Sequence, residues 1–476
     1  MKRIIYIVAS VFFFLSCTEN FEEVNTNPNL IDQISPGTLL NEIIYNMANN
    51  NVRNYYDITA ELMQVKLPYP SFYGGRHRYE ILDNTGNSQW NASYKWAKNI
   101  REMLAVSEAN PNDANYKAIG LTLRAWIYSN LTDSFGDIPF SEASKGDEGG
   151  LKPKYDTQQE IYMTLLQDLE EANALYNHEN PMLYGKEILF DNNTKNWQRF
   201  TNSLHLRLLL RISNVYPEAF GAMATMLNQE DKYPIITDFT QSAALKVTGI
   251  TPNLSPWSRA LDFSTNQATA AFFVDHLNEL KDPRLPVYAT EAKDLEGKSI
   301  GYVGIPSAYV GDNSQFKFSP SYMNNKQVVA PMSIPILMHS EVEFIKAELA
   351  QRGYYNSSNA GQYYENGVKS AIFFVTGKEV PPSYFEQEKA KYKGSLAQIM
   401  LQKYVSLYFT DYQQWAEYRR TGLPVLPTTS SMLNEGKMPY RLLYHSDQKV
   451  YNPTNYTEAS QRIGGDKINS KIWWTK

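Results

Sequence analysis

The chain of 476 residues is long enough to bury one large hydrophobic core or two ordinary ones. Its formal net charge of −5 gives no electrostatic case for nucleic-acid binding, and its single cysteine, Cys17, cannot form an internal disulfide or a thiolate metal site. The 34 Tyr suit an extended contact surface, because a Tyr ring has an apolar face and a polar tip, although large irregular proteins also place Tyr in ordinary loops.

The N-terminus has the pattern of an export signal. Lys2 and Arg3 precede an apolar run over residues 4–15 that is too short for a stable membrane anchor. The run ends in Phe14-Leu15-Ser16-Cys17, which resembles a relaxed bacterial lipobox. We therefore expect a signal peptide over residues 1–16 and lipidation of Cys17. An ordinary secretory peptide with an accidental cysteine is the alternative.

Residues 17–30 are expected to form a lipidated acidic tether. They carry Glu19, Glu22 and Glu23, and such a polar composition is typical of a solvated segment. Acidic residues directly after a lipidated cysteine also resemble the surface-export signal of Bacteroidetes lipoproteins. No later apolar run is long enough to cross a bilayer, so we expect a lipid anchor in the outer membrane and a body that faces the cell exterior.

Residues 38–217 have predominantly helical periodicity. Helices are predicted over residues 38–49, 55–66, 90–108 and 114–135, the last of them capped by Asn110-Pro111-Asn112-Asp113 and closed by Phe135-Gly136 before Pro139. Thr157 and Glu160 form a capping box for a helix over residues 157–176. Asn196 is expected to cap the next helix, which Pro217 stops.

The periodicity fades over residues 220–335. Pro, Gly, Asn and Ser interrupt short apolar runs there, and we expect long loops, a few short strands and one helix near residues 269–280. Long segments with little regular secondary structure in a compact protein more often carry a function than serve only as connections.

Helical periodicity returns over residues 340–424. Ser340 and Glu343 have the spacing of a second capping box, and Gly353 is expected to end that helix. A partner helix is predicted over residues 360–375, and the longest one over residues 395–420, stopped by Gly422 and Pro424. The tail, residues 425–476, is expected to be irregular. The sequence shows no 34-residue period of the kind that marks tetratricopeptide repeats.

The residues contain no recognisable catalytic or metal-binding motif. The six histidines are dispersed and none forms an H-x-x-x-H or H-E-x-x-H pair. Walker A, G-x-S-x-G and G-x-G-x-x-G motifs are missing as well. We therefore expect no catalytic residues, no metal and no cofactor. A surface hydrolase whose acidic residues assemble only in the fold remains an alternative, since carboxylate spacing cannot be read from one sequence.

The basic pair Arg419-Arg420 stands at the end of the longest predicted helix. We expect it to complement the helix dipole or to form a salt bridge, in preference to an anion site.

Seven segments together carry a family resemblance, and along the chain they are Asn25-Thr26-Asn27-Pro28-Asn29, Phe135-Gly136-Asp137-Ile138-Pro139, Glu343-Phe344-Ile345-Lys346-Ala347-Glu348, Trp415-Ala416-Glu417-Tyr418-Arg419-Arg420-Thr421-Gly422-Leu423-Pro424, Arg441-Leu442-Leu443-Tyr444, Tyr451-Asn452-Pro453-Thr454-Asn455 and Trp473-Trp474. In this order they resemble the SusD/RagB family of surface nutrient-binding lipoproteins of Bacteroidetes, and the N-T-N-P-N start is closest to the SusD-like branch.

The resemblance implies a mostly α fold for residues 31–476, with tetratricopeptide-like helix pairs in an α-α superhelix packed against a loop-rich ligand-binding region with few strands. It also implies capture of nutrient oligomers, without catalysis, for a TonB-dependent SusC-like outer-membrane transporter. No ligand-binding residue carries over from it, because no fixed binding motif matches. Oligosaccharide and oligopeptide both stay open as ligands, and so does a purely structural interaction protein.

Aromatic residues outside helical stripes are the candidates for ligand contact, because sugars present apolar faces to aromatic rings. They form two groups in the sequence: Tyr69, Phe72, Tyr73, Arg76 and Tyr79 in one, and Trp257, Tyr309 and Tyr322 in the other. The Trp residues on helical faces, Trp96, Trp126, Trp197 and Trp415, are expected in the core instead.

Overall fold

The structure, a computed structural model, describes residues 34–70 and 75–475. Residues Pro36–Lys476 group into one unit by their contacts. The expected signal peptide, Cys17, the acidic tether and the N-T-N-P-N segment lie outside the described residues, as do Phe72 and Tyr73.

The described part of the chain is mostly α-helical. Its helices are α1 (Pro36–Asn54), α2 (Ala60–Leu62), α3 (Asn87–Glu108), α4 (Ala114–Phe135), α5 (Gln158–Leu175), α6 (Thr194–Ile212), α7 (Glu218–Asn228), α8 (Leu261–Ser264), α9 (Ala271–Glu279), α10 (Leu285–Tyr288), α11 (His339–Gln351), α12 (Ala360–Thr376), α13 (Leu396–Ser406), α14 (Gln413–Thr421), α15 (Gln448–Tyr451) and α16 (Pro453–Arg462). A π-helical turn, Tyr55–Thr59, joins α1 to α2. No helix in the described ranges is both long enough and apolar enough to span a membrane.

The short strands pair in three separate two-stranded antiparallel sheets. They are β1 (Lys66–Pro68) with β3 (Gln267–Thr269), β2 (Ala243–Val247) with β6 (Met332–Leu337), and β4 (Lys293–Asp294) with β5 (Phe318–Ser319). The β2–β6 register shifts between Ala243 and Ala244. The β1–β3 sheet joins the chain near residue 67 to the loop-rich segment over residues 220–335, and the other two sheets join parts of the chain between residues 243 and 337.

Helix α4 is the centre of the helical part. It packs against α3 on one side and α5 on the other, and its Leu123, Trp126 and Ile127 are buried. A helix that is apolar on nearly all sides must be enclosed by protein, and the burial of α4 agrees with that rule. Gly136, at φ 83°, ends α4 with its N–H donating to the Thr132 carbonyl, as predicted.

A buried ionic network joins α14 to the helices around it. The Arg420 guanidinium donates to both carboxylate oxygens of Glu348, at 2.8 and 2.6 Å, and also pairs with Glu417. Burial alone would raise the pKa of Glu348 and Glu417, but Arg420 outweighs it and holds both pKa values below their usual range. Of the two roles expected for the pair Arg419-Arg420, helix-dipole complement or salt bridge, Arg420 has the salt bridge.

Several cap predictions are confirmed and two are wrong. Thr157 and Glu160 form the full capping box of α5. The cap of α6 is Asn193, which accepts from the Asn196 N–H, so Asn196 lies within the helix. Met338 precedes α11 without a side-chain cap, and Glu343 is bound instead by Lys346 and Asn366.

The predicted long helix over residues 395–420 is wrong, because two helices, α13 and α14, occupy this stretch. Between them Phe409 and Asp411 have φ values of 66° and 36°, which interrupt helical geometry. The Asp411 carboxylate accepts from Asn130 on α4 and from Gln413, so tertiary contacts hold the break.

The predicted irregular segments contain more helix than expected. Helix α7 begins before the segment over residues 220–335 and continues into it, and α16 lies in the tail that was expected to be irregular. The predicted helix over residues 55–66 is realised only as the π-helical turn and the short α2. The helix expected near residues 269–280 is present as α9.

Candidate ligand-binding site

Strand pairing brings the residues after β1 next to the segment over residues 305–322, which contains β5. Tyr69 continues β1, and its N–H donates to the Asn266 carbonyl at 3.0 Å, beyond the last β1–β3 residue pair. On the other side of β3, Ala268 pairs with Tyr322, while Ala270 pairs with Ile305. Strand β3 therefore lies between the two segments and places their side chains side by side.

Five aromatic side chains from these segments form one group, which we call the aromatic cluster: Tyr69, Tyr309, Phe316, Phe318 and Tyr322. The Tyr69 ring centroid lies 6.3 Å from Tyr309, 6.2 Å from Phe316 and 6.1 Å from Tyr322. Tyr69 and Tyr309 are 6% and 5% exposed, whereas Phe316, Phe318 and Tyr322 are half-buried. The cluster thus has a buried base and an accessible rim of three rings.

Tyr309 and Tyr322 of the cluster are neutral hydrogen-bonding groups at physiological pH. Burial raises the pKa of Tyr309 to about 12, with further contributions from Tyr69 and Tyr322. Burial likewise raises the pKa of Tyr322. The Tyr309 hydroxyl donates to the Pro70 carbonyl at 3.0 Å and so fixes one loop against the other. The cluster offers ring faces and uncharged hydroxyls, which is the chemistry of sugar stacking.

Two basic residues near Tyr69 in the sequence, Lys66 and Arg76, share one carboxylate. Arg76 contacts Glu61 at 3.3 Å, and Lys66 on β1 contacts the same carboxylate at 3.2 Å. Burial opposes ionisation of Glu61, yet Lys66 and Arg76 outweigh it and lower its pKa. Arg76 therefore points into an ion pair, although its side chain remains 31% exposed.

Three residues of the two predicted groups come together in the cluster, namely Tyr69, Tyr309 and Tyr322. Tyr79 does not join them: it is 1% exposed, and burial raises its pKa to about 12. Phe72 and Tyr73 fall in the gap between the described ranges. Arg76 is next to the cluster in the chain but is held by Glu61.

Trp257 lies apart from the cluster, in the hydrophobic core. Its ring is 4% exposed and packs edge-on against Tyr56 at 5.5 Å and Phe263 at 5.1 Å. The Arg53 guanidinium lies 5.1 Å from its centroid. In this arrangement Trp257 stabilises the fold, and its contact with a ligand stays a prediction.

Two rim residues, Phe316 and Phe318, were not among the site residues selected from the sequence. Their alternate spacing places both rings on one face of an extended segment, where β5 begins. This Phe-x-Phe pattern in a loop was the available signal. Without knowledge of the β1–β3 pairing, nothing linked it to Tyr69.

A groove of about 480 Å³ lies next to the chain segment that precedes Tyr309. Pro306 and Ser307 form one wall, and Asp275 and His276 of α9 another. Burial lowers the pKa of His276 to about 4, with Arg284 acting in the same direction, so the imidazole is neutral at pH 7. Within residues 34–70 and 75–475 no group of three or more His, Asp or Glu is placed to hold a metal ion.

Comparison with protein families and solved structures identifies relatives of the chain. A SusD-like family model, described as starch-binding associating with outer membrane, matches residues 28–445. A chitin-binding protein of known structure superposes with a TM-score of 0.79 at 23% identity, covering 93% of this chain and 100% of that one. No curated protein matches the chain.

Two SusD homologs of known structure give the same result. The one from Bacteroides uniformis has a TM-score of 0.77 at 22% identity and covers 94% of this chain and 100% of its own. The one from Bacteroides fragilis has a TM-score of 0.76 at 20% identity, covering 93% and 100%. At such identities the likeness shows the fold, and the predicted mostly α fold class is confirmed.

Proposed function

The chain belongs to the SusD-like family, and on that basis we propose that it is a cell-surface binding lipoprotein that captures nutrient oligosaccharides. It delivers them to a TonB-dependent SusC-like transporter of the outer membrane. It is anchored by lipid at Cys17, faces the cell exterior and binds its ligand without chemical change. The expected body, residues 31–476, acts as one binding domain.

The aromatic cluster is the single observation that carries the proposal of a sugar ligand. Phe316, Phe318 and Tyr322 present partly exposed rings around the buried base formed by Tyr69 and Tyr309. Pyranose rings have apolar C–H faces that stack on such rings, and their hydroxyls need uncharged donors and acceptors. The Tyr322 hydroxyl suits that role, because burial raises its pKa and keeps it neutral.

The rigidity of the cluster supports binding of an oligomer from solution. Backbone pairing of Ala268 with Tyr322 and of Ala270 with Ile305 fixes one loop, and the Tyr309 hydroxyl fixes the other through Pro70. A surface ordered before binding avoids the entropic cost of ordering side chains on the ligand.

A ligand panel tests the proposal. The full chain, purified in detergent, is screened against neutral and acidic glycans and against oligopeptide pools, with calorimetry on whatever is retained. We expect retention of glycans and no turnover of them. Retention of peptides alone would replace the sugar by an oligopeptide, and hydrolysis of a retained polymer would identify a surface hydrolase instead.

The transport half of the proposal needs a separate test in cells. A deletion strain should lose import of the retained oligomer, and the transporter should co-purify with the full chain. Unchanged import in the deletion strain would contradict delivery to a transporter. Co-purification of a partner without affinity for any ligand would favour a structural interaction protein.

A further inference from the structure

A second groove, separate from the aromatic cluster, lies in the helical part of the molecule. Helix α3, the loop over residues 139–153 and helix α15 enclose a space of about 580 Å³, which we call the α3 groove. The side chains that carry the inference are Tyr94, Lys95, Lys98, Asp147 and Tyr451, all of which line it.

Hydrogen bonds hold the three walls of the α3 groove together. The Tyr94 hydroxyl on α3 donates to the Pro139 carbonyl at 2.8 Å, and Arg101 of α3 donates to the Ser144 carbonyl. Asn452, at the end of α15, donates to the Pro153 carbonyl at 2.8 Å. The groove is therefore shaped before any ligand arrives, which lowers the entropic cost of binding.

Two large side chains that line the groove are mostly exposed to solvent and are not covered by other parts of the protein. Tyr451 is 68% exposed and Leu151 is 78% exposed, although both line the same space. Asn91 and Asn99 also line it, and neither makes a side-chain hydrogen bond to another described residue. Exposed ring faces next to free amides offer stacking and hydrogen bonding to one ligand.

Lys95 and Lys98 bring two positive charges to the groove, and Asp147 brings one negative charge. Lys95 and Lys98 are exposed and lie three residues apart on α3, so they project from the same face. In the described ranges neither has a carboxylate within ion-pair distance, and the Lys95 ammonium lies 4.5 Å from the centroid of the Trp96 ring. The nearby Asp147 is already paired with Arg101 at 3.2 Å and attracts Lys98 only from farther away.

We propose that the α3 groove binds an acidic oligosaccharide, with sugar carboxylates at Lys95 and Lys98 and a sugar ring on Tyr451. Unpaired lysines select an anionic ligand, and the ring and amides select a sugar over an inorganic anion. The inference rests on the proposed capture of glycans and adds a second site with its own ligand class.

Calorimetry with a galacturonic acid oligomer and its fully methyl-esterified form tests the charge requirement. The full chain should bind the acid at least about tenfold more tightly than the ester, and the affinity should fall with added salt. The double variant Lys95→Gln/Lys98→Gln should bind the acid about tenfold more weakly. Tyr451→Ala should also lower the affinity for the acid. Lys378→Gln, at an exposed lysine that does not line the groove, is the matched control and should change nothing.

A neutral glycan retained by the aromatic cluster separates this inference from the proposed function. If the chain binds that glycan but not the acid, or if the double lysine variant binds the acid like the unmodified chain, the α3 groove is not an acidic-glycan site while the proposed function stands. If the chain binds neither neutral nor acidic glycans, both the acidic-glycan site and the proposed function are wrong. Binding of the acid that survives Tyr322→Ala but not the lysine changes places it in the α3 groove.

Discussion

The rings of Tyr69 and Tyr322 lie 6.1 Å apart between centroids, at an interplanar angle of 67°. Tyr69 follows β1, and Tyr322 pairs through its backbone with Ala268 on β3. This edge-to-face contact joins two loops that are distant in the chain into one surface. The accessible rings of the aromatic cluster therefore depend on a buried residue for their position.

Tyr69→Ala should weaken both the fold and ligand binding. Loss of a buried ring leaves a cavity, and we expect the free energy of unfolding to fall by about 3–5 kcal/mol. Glycan affinity should fall with it, because Tyr309, Phe316 and Tyr322 all lose a shared neighbour. Urea unfolding and calorimetry measure the two effects. Tyr69→Phe keeps the ring and serves as control, and unchanged affinity in Tyr69→Ala would show that Tyr69 does not position the rim.

Arg420→Met should be among the most destabilising single changes in the chain. It leaves the carboxylate of Glu348, whose side chain is 0% exposed, without its bidentate partner. Removing one member of a buried ion pair costs about 3–5 kcal/mol, whereas an exposed pair is worth about 0–1 kcal/mol. Arg259→Met, which breaks the exposed pair with Asp262, is the matched control. Equal denaturant midpoints for the two variants would contradict this ranking.

Stability should fall as the pH drops from 6.5 towards 4. Burial lowers the pKa of His205 from 6.5 to about 4, so in this window the unfolded chain binds a proton that the folded chain does not. Protonation then favours the unfolded state, and the stabilisation present above pH 6.5 is lost progressively. In urea titrations, His205→Gln should reduce the loss of unfolding free energy between pH 6.5 and 4 by about 1–3 kcal/mol. A variant with the slope of the unmodified chain would rule His205 out as its source.

Gly136→Ala should destabilise the corner after α4. Gly136 has a φ of 83°, and an added Cβ would lie 3.1 Å from Ile472. Backbone strain of this kind costs about 1–3 kcal/mol. Gly221→Ala in α7 meets open space and should instead stabilise the protein by about 0.5–1 kcal/mol. Thermal unfolding of the two variants measures these opposite changes in stability. If Gly136→Ala leaves the stability unchanged, the backbone at Gly136 is not strained by a side chain.

Sequence patterns predicted the helices where local chemistry decides the boundary. Thr157 with Glu160 and Gly136 are such positions, because the cap is formed by neighbours in the chain. Ser340 failed although its spacing to Glu343 fits, since Lys346 and Asn366 bind that glutamate instead. The break between α13 and α14 could not be predicted from the local sequence. It depends on a tertiary contact, because Asn130 of another helix donates to the Asp411 carboxylate.

The candidate site could be predicted only in its parts. Tyr69, Tyr309 and Tyr322 were selected as loop aromatics, but their assembly depends on the β1–β3 pairing, which no local pattern encodes. Trp257 has the same local appearance and lies in the core, because Tyr56 and Phe263 enclose it. Whether a loop aromatic faces solvent is decided by tertiary contacts. The family resemblance supplied the functional hypothesis, and the structure brings three of the candidate residues together in one cluster.

The most direct test of the central claim is calorimetry of the oligosaccharide retained in the panel with three forms of the full chain. These are the unmodified chain, the double variant Phe316→Ala/Tyr322→Ala and the control Tyr216→Ala, whose ring is 37% exposed. Both altered rings are half-buried, so circular dichroism should show an intact fold. We predict that the double variant binds at least about tenfold more weakly while the control is unchanged. Equal affinity of all three forms would contradict glycan capture at the aromatic cluster.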